Sequence, residues 1–157
     1  MNKRRAEKFA NGRALHLIDI ENLVGSSEFT EGQVAGVRAE YLSLVKPGVM
    51  DQFYVASSRH NEVATAFGWP NCQRQFLTGE DAADYLIIKR AIDAAVAANF
   101  DHIYVGTGDH SLANYVTFLQ GQGIKVTVVS MERCLSYDMR NSGAEVLQLV
   151  DLYQLAA

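Results

Sequence analysis

Residues 14–20 read ALHLIDI, and this short run decides the fold. It is apolar at nearly every position. A strand exposed on one face would alternate polar and apolar residues. A continuous run of this length suits a strand buried on both faces of a parallel sheet. Working outward, the turn-rich GSSEFTEG follows, and a helix is expected over 31–45, stopped before Pro47 and Gly48. QFYVA at 52–56 reads as a second strand and 59–67 as a weaker helix, ended by Gly68-Trp69-Pro70. Residues 72–77 have mixed polarity and are expected near a sheet edge.

The second half repeats the alternation. Thr78 and Asp81 have the spacing of a capping box, with Asp in place of the usual Glu. The helix they would open runs to about Ala98. DHIYVG at 101–106 is a fourth strand, 109–122 a helix closed by Gly123, and IKVTVV at 124–129 a fifth strand. A short helix over 132–140, a last strand at 146–149 and a C-terminal turn complete the chain. Strands separated by helices of this length predict a three-layer α/β/α sandwich around a mostly parallel sheet.

The chain has 157 residues, enough for one domain. At 48% hydrophobic and 20% charged residues it is not a disordered chain. Cys72 and Cys134 lie too far apart in sequence for a CxxC metal site, and a reducing, cytoplasmic setting is expected. The net charge of -4 excludes a wholly basic nucleic-acid coat. The charge is uneven, however. Residues 1–13 carry Lys3, Arg4, Arg5, Lys8 and Arg13 against Glu7 alone. They read as a basic arm that can reach phosphates, on an acidic domain spanning 14–157. Asp19 and Glu21 interrupt the apolar stretch after that arm, so a signal peptide is not expected.

Ligands of open parallel sheets bind beyond the carboxyl ends of the strands. Asp19 stands at the end of the first strand, where an unpaired buried charge is expensive. Asp84 shares a helix stripe with Ile88, Ala91 and Ala95, the face expected to pack on the sheet. Asp109 closes Gly106-Thr107-Gly108-Asp109 at the end of the fourth strand, where it also serves as a helix cap. The three should converge on one edge of the sheet. Three crowded carboxylates repel one another unless a cation neutralises them, and hard oxygen donors suit Mg²⁺ or Mn²⁺. His16 and His102 read as structural strand residues. Arg59 and His60 follow the second strand at the same sheet edge and are candidates for phosphate contact. The chain has no GxxxxGK[ST] loop, GxSxG elbow or HExxH motif.

LIDIENL at 17–23, GEDAADYLIIKRAIDAA at 79–95 and YVGTGDHSL at 104–112 resemble, in order, the three blocks of NYN-domain proteins of the PIN-like nuclease superfamily. The resemblance implies an acidic, metal-dependent ribonuclease site on a PIN-like sandwich. It makes Asp19, Asp84 and Asp109 the ligands of Mg²⁺ or Mn²⁺, with Asn22 a neighbouring polar site residue and Glu21 a further acid. The chain departs from the pattern in one block. Thr107 stands for the family's Ser, Ser111 for its second Asp and Leu112 for its Phe. Ser111 retains a hydroxyl but no charge, and Asp138 is a candidate replacement acid.

The function implied is endoribonuclease action, with Asn22 and Ser111 orienting water or phosphate. Arg59, His60, Lys89, Arg4 and Arg5 would hold the backbone of single-stranded RNA. A noncatalytic RNA-binding or regulatory module with a degraded metal site is the alternative that Ser111 keeps open. A homodimer is compatible with either reading.

Overall fold

The computed structural model describes residues 12–152. Six strands form one sheet in the order β3-β2-β1-β4-β5-β6. They are β1 (Ala14–Asp19), β2 (Gln52–Ser58), β3 (Gln73–Leu77), β4 (His102–Gly106), β5 (Lys125–Met131) and β6 (Glu145–Leu149). Every neighbouring pair is parallel, so the sheet is wholly rather than mostly parallel. Helices α1 (Ile20–Val24), α2 (Glu31–Val45), α3 (Glu62–Gly68), α4 (Ala82–Ala97), α5 (Ala113–Gly121) and α6 (Tyr137–Arg140) alternate with them. All six residues of β1 are buried, as its unbroken apolar run requires. β3 is an edge strand, and its mixed composition leaves four of five residues exposed.

Two cores sandwich the sheet. Leu15, Leu17, Ile103 and Val105 pack against Ile87 and Ala91 of α4 and Val116 and Leu119 of α5. On the opposite face Ile18, Val55 and Val129 pack against Val34 and Tyr41 of α2 and against Trp69. α2 starts at a full capping box: Gln33 N–H donates to Thr30 Oγ1 at 3.3 Å, and Thr30 N–H to Gln33 Oε1 at 2.8 Å.

The boxed start expected at Thr78 does not form. α4 begins at Ala82, with Asp81 before it in the left-handed region at φ 57° and making no side-chain cap. Asp84 therefore sits in the first turn of its helix, not the second. Three other expected helices are broken near their starts, by single 3-10 turns at Arg59–Asn61, His110–Leu112 and Glu132–Cys134. Arg13, counted with the arm by its charge, packs over the Phe100 ring at 5.1 Å. Residues 1–11, with Arg4 and Arg5, lie outside the described residues.

Strand order reverses direction between β1 and β4, which are neighbours in the sheet but far apart in sequence. A crevice opens at such a switch point, beyond the carboxyl ends of the strands. Asp19 is the last residue of β1 and Gly106 the last of β4.

Candidate functional site: an acidic cavity at the switch point

The β1–α1 junction builds the first wall. Asp19 ends the strand and caps the helix, accepting the Asn22 N–H at 3.2 Å through Oδ1. Its Oδ2 accepts from the Thr107 hydroxyl at 3.4 Å. Asn22 in turn crosses to β4, its Oδ1 accepting the Gly108 N–H at 2.8 Å. That contact holds the 107–109 turn against the chain at 134–136. Gly108 O accepts the Ser136 N–H at 2.9 Å, and a Cβ at Gly108 would meet Cys134 O at 2.2 Å. Only glycine fits there. The turn presents Asp109, whose Oδ1 accepts the Ser111 N–H at 2.8 Å.

The first turn of α4 supplies Asp84 and the residue before the helix supplies Asp81. Together with Asp19, Glu21, Asn22 and Asp109 they line one cavity of about 330 Å³. Five of its lining residues are acidic, and none is Lys, Arg or His. Burial pushes the Asp19 carboxyl well above the usual carboxylate range, and the charges of Asp84, Glu21 and Asp109 add to the shift. Burial, then the repulsion of Asp109 and Asp81, pushes Asp84 up to about 6, with a hydrogen bond to Asp19 acting the other way. Burial is the first cause of both shifts, and the neighbouring carboxylates add to it.

The three sequence-predicted acids thus border one cavity, as expected. They do not form a ready-made cage: among the described residues no three His, Cys, Asp or Glu side chains are gathered closely enough to hold an ion. The donor set nevertheless fits a hard divalent cation, because it is all oxygen and acidic. Glu21 joins the same wall. Its Oε1 accepts from the Ser58 N–H at 2.7 Å and the Asn61 amide at 3.1 Å, while its buried Oε2 has no partner among the described residues.

The remaining candidates are spread more widely. Ser111 does not line the acidic cavity. It lines the neighbouring cleft, and Asp138 lines that same cleft. Arg59 and His60 are exposed just beyond Ser58, which lines the acidic cavity. His60 Nε2 lies 2.8 Å from Ser27 O and ties the 26–28 loop to the end of β2. Lys89 is exposed on α4 and does not line the cavity. Asp81 was legible only as a cap. Its spacing of three from Asp84 was the available signal, since residues i and i+3 share a helix face.

A doubly wound parallel sheet with an acidic cavity at its switch point defines a class of α/β proteins to which the PIN-like nucleases belong. The NYN domain profile matches residues 14–149, and the chain belongs to the NYN-domain family within that superfamily. Proteins of the superfamily typically use divalent metals. Among solved structures, a protein of unknown function from Vibrio parahaemolyticus is similar, with a TM-score of 0.56 and 18% identity over 88% of this chain and 93% of that one. At that identity the likeness concerns the fold. No curated protein matches the chain. No helix among the described residues is long and apolar enough to cross a membrane.

Proposed function

We propose that this protein is an endoribonuclease that uses Mg²⁺ or Mn²⁺ to hydrolyse single-stranded RNA. The observation that carries the reading is the cavity at the switch point, bordered by five acids and no base. Asp19, Asp84 and Asp109 would hold the cation. When bound, such an ion polarises a phosphodiester and lowers the pKa of water.

The chain's own groups position the RNA. Asn22 has its Oδ1 fixed by the Gly108 N–H, so its Nδ2 remains to donate to a phosphate oxygen. Gly108 sets the backbone that carries Asp109. Glu21 is held through Ser58 and Asn61. Arg59, His60, Lys89 and the basic arm supply phosphate contacts, the term that dominates nonspecific affinity. The free thiols Cys72 and Cys134 suit a reducing compartment such as the cytoplasm.

A noncatalytic RNA-binding module is the second reading. Ser111 at the family's second Asp position favours it, because that side chain contributes no charge and lies in the neighbouring cleft. Incubating the protein with single-stranded RNA and Mn²⁺, with and without chelator, separates the two. Metal-dependent cleavage that is absent from Asp109→Asn supports the enzyme. Tight binding without cleavage under any divalent metal replaces it with the binding module.

A further inference from the structure

Beside the acidic cavity lies a second cleft, of about 450 Å³ and different chemistry. Its lining includes His110, Ser111, Asn114, Thr117, Asp138 and Asn141. Some of these groups are already engaged. Thr117 Oγ1 donates to Ala113 O at 3.3 Å, and Asn141 Nδ2 to Tyr137 O at 2.8 Å. Three others are not. Ser111 Oγ is buried without a partner among the described residues, and burying a hydroxyl unpaired is costly. The exposed Asn114 amide and the exposed Asp138 carboxylate form no hydrogen bond or ion pair among the described residues. A hydroxyl, an amide and a carboxylate without partners thus line one cleft.

The surroundings tie this cleft to the acidic cavity. Asp109 borders the cavity, Ser111 lies two residues on, and His110 between them carries a 74% exposed ring with Nδ1 3.7 Å from Asp109 Oδ1. A chain whose phosphate sits in the cavity brings a flanking base to the cleft. A phosphate in the cleft itself would meet the Asp138 charge, and an apolar group would leave the Asp138 carboxylate and the Asn114 amide without partners. The edge of a base satisfies these groups, and the exposed imidazole offers a stacking face.

We propose that this cleft is a nucleobase subsite selective for guanine, resting on the reading of the protein as one that binds single-stranded RNA. Guanine alone among the four bases places two N–H donors side by side on its Watson–Crick edge. Those donors match the two oxygens of Asp138, as in other bidentate carboxylate pairs. The Asn114 amide supplies a donor for guanine O6. Adenine, cytosine and uracil each lack the donor pair.

The test uses fluorescein-labelled ten-nucleotide RNAs in Ca²⁺, a hard cation for the acidic cavity, with gel analysis checking that the RNA stays intact so that binding is read without cleavage. One is all uridine, one carries a single central guanosine and one a single central adenosine. The wild type should bind the guanosine RNA about tenfold more tightly than the other two, the scale of one bidentate base contact. Asp138→Asn should remove that preference, and Asn114→Leu should narrow it. Equal affinities in the wild type, no RNA binding at all, or a preference that survives Asp138→Asn would overturn the subsite. Cleavage with Mn²⁺ but no guanosine preference removes the subsite alone. A guanosine preference without cleavage keeps the subsite and removes the nuclease.

Discussion

His16 and Asp19 stand three residues apart on the same buried strand, and the two ends of β1 treat them in opposite ways. His16 is fully buried, yet each ring nitrogen has a partner: Nδ1 lies 2.8 Å from the Tyr41 hydroxyl and Nε2 2.9 Å from Asp51 Oδ2. An ionised Asp51 can only accept, so Nε2 carries the proton and Tyr41 donates to Nδ1. Asp51 is itself held by the N–H groups of Ala14 and Gly48 at 3.1 and 3.0 Å. Phe53 and Tyr104 stack on the imidazole at 4.3 and 4.5 Å. At the other end Asp19 is 6% exposed and faces further carboxylates, and no Lys, Arg or His among the described residues lines its cavity. A buried polar group with every bond made is structural. One whose charge is left uncompensated marks a place for something the described residues do not supply.

That contrast can be broken at either end. The largest expected effect is on chemistry. Asp19→Asn, Asp84→Asn and Asp109→Asn should each reduce RNA cleavage by about 100-fold or more, the scale seen when one group acting on a transition state is removed. Single-turnover cleavage in Mn²⁺ measures this. Any one of these proteins that is folded and retains wild-type cleavage has lost its claim to the site.

At the structural end, His16→Ala should lower stability by about 3 kcal/mol, since it opens a cavity and strands the Tyr41 and Asp51 groups. Denaturant titration gives the value. The Mn²⁺-induced rise in melting temperature should be the same as in the wild type, and a lost metal response would show that the two ends are not separate.

Acid should act with opposite sign at the two ends. Burial lowers the His16 pKa, so the unfolded chain takes up that proton first, and acidification below about 6.5 removes stability. Asp84 is raised to about 6, so the folded state takes up its proton first, and falling pH relieves repulsion there. In chelator, Asp84→Asn should therefore melt above the wild type at pH 7.5. The gap should shrink as pH falls through about 6 towards 4. A gap independent of pH would mean that Asp84 carries no uncompensated charge.

The smallest effect belongs to the arm. Removing residues 1–11 should weaken RNA binding modestly and flatten its salt dependence, because fewer counterions are released from phosphates. Affinities measured across salt concentrations would show an unchanged slope if the arm makes no contact.

Much of this was legible in the amino-acid order. The apolar run at 14–20 announced a strand buried on both faces, and the parallel sheet followed from the strand–helix alternation. Asp19 and Asp109 were placed correctly because strand ends are easily found and a parallel sheet sends them to one edge. Asp84 reached the cavity although its helix starts four residues later than Thr78 suggested. Local capping chemistry favoured Thr78, whereas the backbone turns left-handed at Asp81 and starts the helix there. Ser111 was read into the acidic site by its place in the motif. The 3-10 turn at His110–Leu112 leaves it in the next cleft instead, a difference no side-chain pattern encodes. The partners of His16 come from Tyr41 and Asp51, long-range contacts that periodicity does not reveal.

Melting curves of the wild type and Asp84→Asn, each in chelator and in Mn²⁺, test the central claim most directly. If the cavity stores repulsion that a cation relieves, the substitution raises the melting temperature in chelator, because it removes one charge and keeps the shape. It also reduces the gain on adding Mn²⁺, which reflects preferential binding to the folded state. A lower melting temperature in chelator together with an unaltered Mn²⁺ shift would place Asp84 in a structural pairing and contradict the cation site.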